Sequence, residues 1–132
     1  PEPNWLLVPG EDMTVSWTAS SHPAWIELTF NIDQHGLSPL TMICEVPDTG
    51  SATLPATLLD SLVNSGVSGY PSAWMRRRTA DSYAISQGCV ARQVYSHVGV
   101  DMGVEGYTPC SRDEDCPDGQ HCDMDMQICV DD

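Results

Sequence analysis

The chain has 132 residues, 41% of them hydrophobic, and a formal net charge of −14, with no lysine and five arginines as its only fully charged bases. The length suits one ordinary domain with a small appendix. The charge excludes nucleic acid and anionic membranes as partners over most of the surface, because phosphate binding needs a basic face.

No apolar run approaches the roughly 18 residues of a membrane-spanning helix, so no membrane insertion is expected. Pro1 to Asn4 lacks the basic start and apolar stretch of a signal peptide, which fits a chain made without one or a mature or trimmed form. Six cysteines, four of them clustered, point to disulfides and an oxidising compartment. The expected location is therefore secreted or cell-surface, extracellular or periplasmic. A lysine-free acidic surface also suits salty water, where repulsion is screened, and loosely attracts divalent cations.

The dominant period is two. Met13, Val15 and Trp17 alternate with Thr14, Ser16 and Thr18, and Ala24 to Ile32 alternates in the same way. So does Leu40 to Val46. Each run is bounded by turn-forming residues and predicts a half-buried antiparallel strand. Pro47 to Gly50 predicts a turn and Ser51 to Leu54 a short strand. From Pro55, Leu58, Leu59, Leu62 and Val63 share a helical face, which predicts one short helix ending near Gly66. Further strands are expected at Ala73 to Thr79, Ser82 to Ile85, Cys89 to His97 and Val100 to Val104. About seven short strands at this spacing suggest an all-β antiparallel β-sandwich over residues 1–108.

Cys44 lies on the apolar face of its strand and Cys89 opens another. A Cys44–Cys89 bridge is expected, with two buried free thiols as the alternative. Residues 109–132 form an acidic, cysteine-rich module. From Cys110 onward it holds eight acids against Arg112, a net of −7, half the charge of the whole chain. So few apolar side chains cannot make a core, so covalent or metallic staples are required. Three pairings of Cys110, Cys116, Cys122 and Cys129 are open. Interlocked bridges, Cys110–Cys122 and Cys116–Cys129, constrain the segment best.

The spacings do not suit zinc, which favours tight cysteine pairs. Asp113, Asp115, Asp118 and Gly119 imitate the start of an EF-hand loop, but Met124 falls where a bidentate Glu is needed. A calcium site, if built here, is an irregular one using Asp113, Asp115, Asp118, Asp123 and Asp125; the alternative is a solvated acidic face. No other cofactor is expected.

Trp25 and Trp74 fall on the polar sides of their strands, with Arg76 and Arg78 in phase with Trp74. These four are the candidate binding residues for a protein or carbohydrate partner. The competing readings are cover of Trp25 by a loop or by the segment Trp5 to Val8, and edge-strand charge for Arg76 to Arg78. No H-E-x-x-H, G-x-S-x-G or P-loop motif is present, and His22, His35, His97 and His121 are scattered, so no enzyme is expected.

The stretch from Asp113 to Gln120, Asp-Glu-Asp-Cys-Pro-Asp-Gly-Gln, resembles the opening of whey-acidic-protein and Dickkopf-type modules, and tails of secreted proteins and lipoproteins of myxobacteria and their relatives. The first two families use more cysteines, including a doubled Cys absent here. The stretch from Ile43 to Leu59 is similar to segments of immunoglobulin-like domains in the same bacterial lipoproteins. The second resemblance implies that the body is immunoglobulin-like, and the families named mostly lack an assigned activity; the function expected for the chain as a whole is a non-enzymatic extracellular or cell-surface binding or adhesion module. The alternatives are a structural subunit that self-associates into an oligomer or filament, and a protease inhibitor acting through the loop Cys116 to Cys122.

Overall fold

The computed structural model describes residues 4–32 and 40–132, and the chain is built mostly of strands. His35 lies outside the described residues. Five strands form one mixed sheet in the order β1 (Asn4–Leu7), β7 (Gly88–Val104), β6 (Ser72–Ile85), β3 (Trp25–Asn31), β4 (Thr41–Pro47). A second sheet pairs β2 (Met13–Ser16) with β5 (Ser51–Leu54), and a third pairs β8 (Gln120–Asp123) with β9 (Ile128–Asp131). One helix, α1 (Ala56–Val63), follows β5.

The alternation in β3 works as expected. Ile26, Leu28, Phe30 and Ile32 are fully buried on one face, each contributing about 1.5–3 kcal/mol by leaving water. They meet Val15 of β2, Leu54 of β5, and Leu59, Leu62 and Val63 of α1 in one core. The β2–β5 pair and α1 thus share one core with the large sheet. Leu58 departs from the expected helical face and is 39% exposed. Pro55 serves as the N-cap rather than the first helical residue, and with its side chain unable to cap, Asp12 Oδ1 accepts the Ala56 N–H at 2.7 Å.

Two strand expectations change. Trp5 and Leu7 do not cover Trp25; they sit in β1, which runs parallel to β7, and both side chains are buried. Trp5 packs against Phe30 with ring centroids 5.4 Å apart. The large sheet is therefore mixed, not purely antiparallel. The four short strands expected after residue 72 are two long ones, paired without interruption from Ser72↔Asp101 to Ile85↔Gly88.

Asp48 in the β4–β5 turn ties separate segments together. Its side chain has no solvent exposure. It accepts the Trp17 indole N–H at 2.6 Å and the Ser20 N–H at 3.1 Å. Arg77 Nε stands 2.7 Å from its Oδ2, as an ion pair rather than an aligned hydrogen bond.

The tail is held by the disulfides Cys110–Cys122 and Cys116–Cys129, the interlocked pairing expected from the sequence. It meets the body through the Gly69 N–H to Met126 carbonyl bond, 2.7 Å, and through Thr108 to Cys110, which bonds to Gln127 and Cys129. Cys44 and Cys89 are free, so the expected bridge between them is corrected. Cys44 lies level with Leu28, Met75 and Val98 across the sheet. Cys89 lies nine residues from Val98 along β7 (98 − 89), or about 30 Å at strand rise. The two also face opposite ways: Cys44 packs against the core, and Cys89 shares the outer face with Tyr95.

Candidate functional site

The face of the large sheet away from the core carries all four candidate binding residues. Register places them in adjoining cross-strand rows. One row reads Pro47, Trp25, Arg78, Tyr95; the next reads Glu45, Glu27, Arg76, His97; the third reads Ile43, Thr29, Trp74, Gly99. The outward positions are fixed by the same alternation that buries Ile26, Leu28 and Phe30.

The charges on this face are matched. Glu27 and Glu45 are direct cross-strand neighbours, and like charges so placed repel. Arg76 relieves this through a 2.6 Å ion pair with Glu27, and Arg78 reaches across β3 to Glu45. The Arg76 guanidinium also stacks 5.1 Å from the Tyr95 ring centroid, a cation–π contact. The arginines are thus not edge-strand charges: β6 lies inside the sheet, between β3 and β7. Arg77 points to the other face, toward Asp48.

Between these pairs the aromatic rings stay open. Trp25 is 47% exposed, Trp74 37% and Tyr95 48%. A groove of about 450 Å³ runs beside Trp74, lined by Arg76, His97 and Gly99. Gly99 forms its floor, and a Cβ there would meet nothing within 4 Å. Thr29 lies buried between Ile43 and Trp74, and its Oγ1 finds no partner. Tyr95, Ile43 and Gly99 were not singled out from the sequence. The period-two phasing with Arg76 and Trp74 is the signal that locates them, once the β6–β7 register is known.

The tail acids have other work. Asp113 Oδ1 accepts the Cys122 N–H at 3.0 Å. Asp115 accepts the Ser111 N–H and hydroxyl, both at 2.9 Å, and the Arg112 Nε–H. Those bonds hold the Asp115 carboxyl below its ordinary pKa, the Ser111 N–H most of all. Asp123 Oδ1 accepts from Asp125 and Met126 and closes the β8–β9 turn. Among the described residues, the one group of three potential ligand atoms within 4.8 Å is the sulfurs of Cys110, Cys116 and Cys129. All three are in disulfides and so are not thiolates.

No protein-family model, curated protein or solved structure matches the chain. Among the described residues, no helix is long and apolar enough to cross a membrane.

Proposed function

We propose that this chain is a non-enzymatic extracellular or cell-surface binding module, and that its ligand surface is the open face of the five-stranded sheet. The observation that carries the reading is the exposure of Trp25, Trp74 and Tyr95 on one face, spaced by ion-paired arginines. Large rings on strands lose little freedom on binding, which is why Trp, Tyr and Arg dominate binding energy elsewhere. Arg76 and Arg78, already oriented by Glu27 and Glu45, supply hydrogen-bond donors beside the rings. The partner is a surface protein or carbohydrate. The β2–β5 pair and α1, sharing one core with the sheet, support an immunoglobulin-like reading of the body. The two disulfides support an oxidising location.

The test is binding of the full chain to a glycan array and to a displayed library of surface proteins. The double variant Trp25→Ala, Trp74→Ala is expected to bind at least about tenfold more weakly, while its melting temperature stays near that of the parent, because both rings are outside the core. Unchanged affinity in the double variant would remove this face as the ligand surface.

A further inference from the structure

The β6–β7 ribbon outruns its sheet. β3 stops pairing with β6 at Trp25↔Arg78, and β1 pairs with β7 only from Asp101 to Val104. From Thr79 to Val94 the ribbon therefore stands as a two-stranded arm. Among the described residues, β7 has no strand on its outer edge over the thirteen residues from Gly88 to Val100. An unpaired edge of that length is a template for another strand.

Natural edges are blunted by lysine, proline or bulges. This edge has none of them: the chain lacks lysine, no proline falls between Ser72 and Val104, and the β6–β7 register is unbroken. The arm is also the near-neutral part of a molecule with net charge −14. Residues 79–94 hold one acid, Asp81, and one base, Arg92. A second copy meets repulsion almost everywhere else, and least here. The core-side stripe of β7 continues outward, uncovered, as Val98 (41% exposed), Val94 (53% exposed) and the half-buried Val90.

We infer that the occupant of this edge is a second copy of the chain, joined antiparallel through the two β7 strands about a twofold axis at Val94. This goes beyond the binding reading and does not rest on it. The valines recur every four residues and are symmetric about Val94. In that register Val94 faces itself, Val90 faces the partner's Val98, and Arg92 faces the partner's Ser96, so no like charges are opposed. The two large sheets become one continuous sheet of ten strands. Closure through one self-complementary edge gives a dimer, not a filament.

Sedimentation equilibrium of the full chain is expected to show a monomer–dimer equilibrium. Val94→Lys, which sets two charges face to face on the axis, is expected to weaken the dimer at least tenfold while far-UV circular dichroism stays unchanged. In a Cys44→Ser, Cys89→Ser background, Val94→Cys is expected to crosslink into a disulfide dimer, because opposed Cβ atoms lie about 4.5–5.5 Å apart. Tyr83→Cys, on β6 along the opposite edge of the arm, is expected to stay monomeric on the same gel. A monomer at every concentration, a dimer unaffected by Val94→Lys, or crosslinking through Tyr83→Cys in place of Val94→Cys overturns the inference.

Discussion

Asp48 shows how one side chain can tie three segments. Its burial alone would raise its pKa, but the hydrogen bonds from Trp17 and Ser20 and the ion pair with Arg77 outweigh that and hold it below the usual carboxylate range. Stability from this group is therefore complete above the unfolded-state value of about 4 and fades as pH falls through the lower folded value. Asp48→Asn keeps the shape and removes the charge. It is expected to cost about 2–3 kcal/mol at pH 7, since it strips the carboxylate from Arg77, which is left with the Thr18 carbonyl. In paired thermal melts, the gap between parent and variant should be widest at neutral pH and should narrow below about pH 4. A constant gap would mean that the ion pair contributes nothing. The turn around Asp48 was legible from Pro47 to Gly50. Its partners were not, because Trp17 and Arg77 are 31 and 29 residues away (48 − 17 and 77 − 48) and nothing local marks them.

At the scale of elements, the tail is the segment whose structure depends most on covalent bonds. Its two bridges close loops of 12 and 13 residues in sequence separation, each worth roughly 3 kcal/mol in the chain-entropy account. Reduction is expected to abolish dispersion of the tail amide signals in NMR while the core signals of Phe30 and Leu28 persist. EDTA is expected to leave both unchanged, because Asp113, Asp115 and Asp123 are already bonded within the tail. Loss of the core signals on reduction would show that the body needs the tail. The interlocked pairing was favoured among three open ones because crossed bridges constrain a short segment best, although spacing alone did not decide it. The state of Cys44 and Cys89 was not legible, because strand period gives a face but not a level along the sheet. The long arm was missed for a related reason. Ala80-Asp81 and Gly99 are poor strand formers, and they stay extended here because each strand supplies the other's hydrogen bonds. The exposed rings of Trp25 and Trp74 were legible because a large apolar side chain out of phase is conspicuous in an alternating strand.

For the whole molecule, charge is the dominant non-specific force. A net −14 repels itself, and half of it sits in the tail. Raising salt shortens the screening length from about 30 Å at 0.01 M to about 3 Å at 1 M. The melting temperature is therefore expected to rise between 0.01 and 0.5 M sodium chloride, since exposed ion pairs lose at most about 1 kcal/mol each. A calorimetric scan series checks this, and a falling temperature would assign more stability to the arginine pairs than to relief of repulsion. Trp5 and Leu7 lead to a different kind of consequence. Their strand pairs with β7 at Asn4↔Asp101, a separation of 97 residues (101 − 4). Contacts so distant form late, after the intervening chain has collapsed. During synthesis, β1 must therefore wait until Asp101 to Val104 have emerged before its backbone finds a partner, so a strand and the edge that holds it are made far apart in time.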